Sequence, residues 1–209
     1  MQLFTRNVMM MGTPADIMNY STDMRAYVED KTGREIGLWA NLFGAPNGTM
    51  SYTVRVEGFA DLQAATAGLM EDPVYHEKLA AGQSMIGGPS MDTIGQPIHG
   101  EMGDMPPVGS YATVTRATMA NGRYMEAMGW GVEIAQHVEK VAGLQTMFLS
   151  SVFGGFGDVA WIMVAADAAA ADAATAAVNG DPDYLTSVNG AGELFIPGSG
   201  HQSLTTRVA

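Results

Sequence analysis

The 209-residue sequence contains no cysteine. Disulfides, thiolate nucleophiles and cysteine-based metal sites are therefore excluded. Basic residues are scarce: 10 Lys and Arg stand against 22 Asp and Glu, for a formal net charge of −12. Nucleic acid and anionic membranes need a basic face, so neither is an expected partner. Charged residues of both signs make up only 15%, below the usual quarter, which predicts a surface rich in small and neutral polar residues. No run reaches the roughly 20 apolar residues of a membrane helix. The opening MQLFTRNVMMMG lacks the basic start and apolar core of a signal peptide. The expectation is a cytoplasmic protein, without membrane insertion, whose first strand begins near residue 2. No serine stands in a Gly-x-Ser-x-Gly context, so a hydrolase elbow is unsupported.

Apolar residues are abundant, at 47%, and 17 are methionine. Copper(I) sites group Met with His or Cys. Here Met9-Met10-Met11 falls on a strand and other methionines on helix stripes, which fits adaptable core or pocket lining.

The chain repeats itself. FGAPNGTMSYTVRVEGFADLQAATAGLMEDPVY runs from Phe43 to Tyr75, and FGGFGDVAWIMVAADAAAADAATAAVNGDPDY from Phe153 to Tyr184. Each copy is a Phe-Gly turn, a strand, an Ala-rich helix and Asp-Pro-x-Tyr. A gapless offset of 110 extends the match from Thr5/Thr115 to Ala67/Ala177, pairing Arg6 with Arg116, Gly33 with Gly143 and Val54 with Val164. The offset then becomes 109, aligning Asp72 with Asp181 and Tyr75 with Tyr184. The predicted units are residues 1–86, a connection 87–109 without clear period, part of which can run as a strand along the barrel, and residues 110–209.

Local signals supply the elements. QLFTRNVMMM alternates as a strand. Thr13-Pro14-Ala15-Asp16 opens a helix that Gly33 closes. EIGLWANLF and TMSYTVRVE are strands joined by a hairpin at Asn47-Gly48. A helix over 60–70, a short helix over 74–81 and a strand near 83–86 complete the first unit. In the second, Asn121 is the expected cap of a helix over 123–142, an Ala-rich helix is expected over 168–178, strands at 111–119, 144–153, 159–166 and near 193–196, and an extended segment at 203–208. FGAPNG and FGGFGD join strand to strand, so neither is a phosphate loop. The order β-α-β-β-α-β, twice, is ferredoxin-like: an α+β chain of two tandem repeats. Each bare sheet face is apolar and needs cover.

This order, the Ala-rich second helix and the Asp-Pro-x-Tyr turn resemble the dimeric α+β barrel superfamily. That superfamily includes antibiotic-biosynthesis monooxygenase-like, NIPSNAP-like and chlorite-dismutase-like families; no single family is matched. The resemblance implies a pseudo-dimeric barrel made by one chain. It implies a small apolar or aromatic ligand, self-association into a homo-oligomer, and cofactor-independent oxygenase-like chemistry. Asn41 and Arg6 would then stabilise developing negative charge. Trp39, Tyr52, Arg55, Arg116, Ser151 and Trp161 would line the cavity by residue type. The structural alternative for Arg6 and Arg116 is a salt bridge to Glu29 or Glu139. No cofactor is required; His76, on the short helix, is the ligand if haem is bound. A non-catalytic assembly protein is the remaining alternative. Because Tyr52 and Arg55 face Ile162 and Ala165 in that alignment, the first repeat is expected to supply most of any site.

Overall fold

The computed structural model describes residues 1–209. Eight strands and six helices follow the doubled order: β1 (Gln2–Met9), α1 (Pro14–Thr32), β2 (Ile36–Phe43), β3 (Thr49–Val56), α2 (Phe59–Thr66), α3 (Pro73–Gly82) and β4 (Met91–His99), then β5 (Tyr111–Thr118), α4 (Tyr124–Ala142), β6 (Thr146–Phe153), β7 (Asp158–Ala165), α5 (Ala168–Asn179), α6 (Pro182–Gly190) and β8 (His201–Arg207). The α1 boundaries follow the sequence signals. Thr13 Oγ1 accepts from the Asp16 N–H at 3.2 Å, and Gly33 takes the left-handed conformation at φ 64°. Asn121 is not the cap of α4; Arg123 precedes it and makes no capping bond through its side chain. The helix expected over 60–70 stops at Thr66 and tightens into a 3-10 turn, Ala67–Glu71.

All strands are antiparallel and close into a barrel in the order β1-β3-β2-β8-β5-β7-β6-β4. Each repeat lends its last strand to the other: β4 pairs with β1 and β6, and β8 with β5 and β2. Closure leaves no free edge and buries the bare faces around the axis. The strands expected near 83–86 and 193–196 are single bridges, Met10 to Ile86 and Met119 to Phe195. The barrel strand of the first repeat is instead β4, in the part of the connection that can run along the barrel, because closure rather than an apolar pattern selects it.

The repeats are not related by one constant offset. Gln2 pairs with Val56 and Tyr111 with Ala165, so β1/β5 and β3/β7 correspond at 109, while α1/α4 and β2/β6 correspond at 110. The strand-to-helix turn gains a residue in the second copy, and the hairpin loses one. A one-residue change reverses strand faces. Arg6 therefore corresponds to Thr115, not Arg116, and Tyr52 to Trp161, not Ile162.

Two apolar clusters pack helix on sheet, one per repeat: Val8, Met10, Ile17, Leu38 and Met50, and Met119, Ala127, Ala135, Phe148 and Val159. At matching places the first copy has Ser21 and Leu38, the second Gly131 and Phe148; Ser21, Leu38 and Phe148 are fully buried. The smaller helix residue admits the larger strand residue. Gly131→Ala should therefore destabilise the protein by about 1–3 kcal/mol through overpacking, since its Cβ would fall 2.3 Å from Phe148 Cζ. On the same helix Gly129→Ala meets open space and should stabilise by about 0.5–1 kcal/mol. Urea unfolding midpoints of the two variants check the opposite signs.

Candidate functional site

A cavity of about 750 Å³ lies off the barrel axis. It lies in the first repeat between the outer sheet face and α1, α2 and α3, with 21 of 30 lining residues hydrophobic. Strand alternation explains its wall: Phe4, Arg6 and Val8 of β1 and Tyr52, Val54 and Val56 of β3 all line it. Tyr20 and Met24 come from α1, Tyr75 from α3 and Asp92 from β4. Phe153 of the second repeat reaches across at the mouth, 5.7 Å from the Phe59 ring.

Three arginines border the cavity: Arg25 and Arg34 pair with Glu29 and Asp61, and the third is Arg6. Asp92 faces it across the β1–β4 ladder and accepts from Nε at 2.8 Å and Nη2 at 2.7 Å. This carboxylate contact, with a smaller contribution from nearby Tyr75, holds the Arg6 pKa above its ordinary value, so the guanidinium stays charged at the cavity wall, where the ion pair is partly exposed to solvent. Of its five N–H donors, two serve Asp92. Burial raises the Tyr52 hydroxyl pKa and, less completely enclosed, that of Tyr20. Asp92 is the one carboxylate in the wall.

The sequence-predicted residues divide between two faces. Arg6 and Tyr52 meet in the cavity. Trp161 belongs to the matching space of the second repeat, a cavity of about 200 Å³, and donates from Nε1 to the Gly131 carbonyl at 2.9 Å. Arg116 borders that smaller cavity but corresponds to Asn7, and burial lowers its pKa. Trp39, Asn41, Arg55 and Ser151 lie on the opposite strand face and line neither cavity. Trp39 Nε1 donates to Thr53 Oγ1 at 3.0 Å, and Asn41 Nδ2 to the Ala45 carbonyl at 3.3 Å. Arg55 bonds Glu35 at 2.6 Å and the Gly103 carbonyl, pinning the connection between repeats. Residue type suggested one lining; the strand period separates it. Nor does Arg6 bridge to Glu29: Glu29 pairs with Arg25 at 2.6 Å and accepts the Ile36 N–H, as Glu139 accepts that of Thr146.

His76 is exposed, its Nε2 2.8 Å from the Met70 carbonyl, and no histidine lines either cavity. The residues present do not fit a histidine-ligated haem in these chambers. Asp92, Tyr20 and Tyr75 were missed as site residues: Asp92 because β4 carries no clean alternation, Tyr20 because it fits the apolar stripe of the first helix, and Tyr75 because it belongs to the repeated Asp-Pro-x-Tyr turn.

No protein-family model and no curated protein matches the chain. Solved structures do resemble it. An anthrone oxidase-like protein superposes with a TM-score of 0.70 at 14% identity, covering 100% of this chain and 92% of that one. A candidate monooxygenase of Fusobacterium nucleatum gives 0.64 at 11% identity over 100% and 92%. A candidate chlorite dismutase gives 0.53 at 14% identity over 100% and 96%. The chain has the dimeric α+β barrel fold. One continuous chain builds both halves of the barrel.

The cavity floor depends on the Asp-Pro-x-Tyr turn. Asp72 caps α3 by accepting the Val74 N–H at 2.9 Å, and it also accepts from Tyr27 Oη at 2.6 Å and Lys31 Nζ at 3.0 Å. In the second repeat His137 takes the place of Tyr27 and bonds Asp181 at 2.8 Å. Tyr27 above all, then Lys31, holds the Asp72 carboxyl well below the usual carboxylate range. A folded value below the unfolded value of about 3.9 stabilises fully above about pH 5 and is lost as pH falls toward the folded value. Asp72→Asn, which can still cap, should be less stable than the wild type at pH 7. That gap should narrow as pH falls from 5 to 2.5, measured by urea unfolding across the series.

Proposed function

We propose that the first-repeat cavity binds a mainly apolar, electron-rich small molecule and that the protein acts on it as a cofactor-independent monooxygenase. The observation that carries this reading is the apolar chamber of about 750 Å³ with Arg6, Asp92 and tyrosine hydroxyls in its wall. Its size falls in the range of about 300–1,000 Å³ common for small-molecule sites. Dioxygen is itself apolar and enters such a space readily. A carbon acid beside a carbonyl loses a proton to Asp92, and Arg6 stabilises the resulting enolate. The enolate carbon adds dioxygen in one-electron steps to give a peroxide. Loss of the second C–H proton then breaks the O–O bond, leaving a new carbonyl and water. For anthrone the balance is anthrone plus O₂ to anthraquinone plus water. The likeness to an anthrone oxidase-like protein and to a candidate monooxygenase supports choosing this reaction class.

Asn41 has no part in this scheme, since it lies away from the cavity. Self-association is the second reading, favoured by Met125 and Phe156, which are 85% and 84% exposed, with Phe156 against the Tyr124 ring at 5.4 Å. No helix is long and apolar enough to cross a membrane. A homo-oligomer in the cytoplasm is part of the proposed reading and does not rest on that observation.

An oxygen electrode with anthrone as substrate tests the proposal. Equimolar oxygen uptake and anthraquinone formation are expected, and Arg6→Ala should slow turnover about 10²-fold with an unchanged fold by circular dichroism. Binding of anthrone without oxygen uptake would leave a binding protein. Absence of binding, with a stable oligomer in sedimentation, would favour the assembly role.

A further inference from the structure

We infer that Tyr20, Tyr52 and Ile86 are the specificity-determining residues that set the largest ligand this cavity accepts. The inference rests on the cavity being a ligand site, and the second repeat serves as its internal control. The same fold, with the same neighbouring elements, encloses about 750 Å³ in the first repeat and about 200 Å³ in the second.

Part of the wall is kept between the copies, while Phe4 and Val8 of β1 give way to the smaller Thr113 and Ala117. Val28 and Val138, Thr66 and Thr175, and Tyr75 and Tyr184 occupy corresponding places. Val54 becomes the longer Met163, and three positions gain ring area: Tyr20 becomes Trp130, Tyr52 becomes Trp161 and Ile86 becomes Phe195. These larger rings fill the second chamber by packing on one another. Trp130 meets Trp161 edge-on at 5.9 Å and Phe195 at 5.4 Å, and Trp161 meets Phe195 at 5.9 Å. Phe148, admitted by Gly131, stacks on Trp161 at 4.9 Å and fixes its plane. Indole N–H groups are also tied down, Trp130 to Ser187 Oγ at 3.0 Å and Trp161 to the Gly131 carbonyl. Such a stack is a fixed wall, not a swinging one.

The polar end changes with it. Arg6 and Asp92 become Thr115 and Gln202, paired across β5 and β8, and Gln202 Nε2 donates to Thr115 Oγ1 at 3.1 Å. The closed chamber has thus lost both its space and its paired ion. A competing cause of closure is the Ala-rich α5, whose buried Ala171 and Ala174 let that helix settle on the sheet. α2 has no buried residue. The two causes separate by experiment, because ring size is reversible by substitution and helix seating is not.

In the first cavity the open side is therefore held open by a tyrosine from α1, a tyrosine from β3 and an isoleucine before β4. The ligand class follows: a planar molecule of several fused rings with one acidic oxygen toward Arg6. Single-ring phenols would leave the chamber underfilled.

Fluorescence titration with 2-naphthol and 1-hydroxypyrene tests this on the full chain. Wild type should bind both. Ile86→Phe, at a partly exposed position that tolerates volume, and Tyr52→Trp should each weaken 1-hydroxypyrene at least about tenfold while leaving 2-naphthol within about threefold. The reciprocal Trp161→Tyr, Phe195→Ile variant should take up a second equivalent of 2-naphthol. Equal effects on both probes, or no effect, in the folded first-repeat variants would overturn the inference and assign cavity size to helix seating. Binding of neither probe by wild type would remove the ligand reading itself, and this inference with it.

Discussion

Barrel closure is the constraint on which the rest depends. Two antiparallel sheets with helices on one side only must cover their other sides, and here each does so with the other. The exchange of β4 and β8 makes the cover continuous, since each last strand hydrogen-bonds to both sheets. Once closed, every strand has an axial face and a helix-facing face, and adjacent residues have opposite surroundings. Trp39 and Leu38 are neighbours in sequence, yet Trp39 bonds Thr53 across the axial face while Leu38 joins the helix-side cluster. The larger chamber forms on the helix side because helices stand off from a sheet by the size of their side chains, and small shifts in that distance open space.

Duplication then gave this chain two copies of one chamber under different packing. In one, tyrosines, an ion pair and a Ser-Leu contact leave a large space. In the other, tryptophans, a neutral hydrogen bond and a Gly-Phe contact nearly close it. Interior density is conserved by compensation, with small residues on one element admitting large ones on the next. The pairing of Gly131 with Phe148 is the clearest instance. Retained contacts show which parts the fold itself needs: the Glu29 and Glu139 carboxylates on the first N–H of β2 and β6, and the Asp72 and Asp181 caps under Tyr27 and His137.

Much of the fold was legible. Thr13, Gly33, Gly143 and the two Asp-Pro turns bound helices through local geometry, and local geometry is written in local sequence. The repeated phrase from Phe43 to Tyr75 implied two equivalent units. The candidate site was legible only in Arg6 and Tyr52. Asp92 hid in β4, whose Gly95 and Pro97 break the strand signal, and Tyr75 looked like part of a conserved turn. Trp39, Asn41, Arg55 and Ser151 had suitable chemistry but the wrong face. The false pairing of Arg6 with Arg116 came from an alignment that ignored two compensating one-residue changes in turns.

The sequence by itself determined the α+β class, the doubled order of elements and the helix ends, because each depends on a few neighbouring residues. It also settled that no thiol chemistry occurs and that the surface is acidic. Tertiary structure alone decided which strands exchange, which face each side chain meets, and that Arg6 sits against Asp92, 86 positions away. It alone decided that one chamber is open and the other filled. Those outcomes depend on distances between elements far apart in the chain, set by the packing of many side chains at once, and no short stretch of sequence carries them.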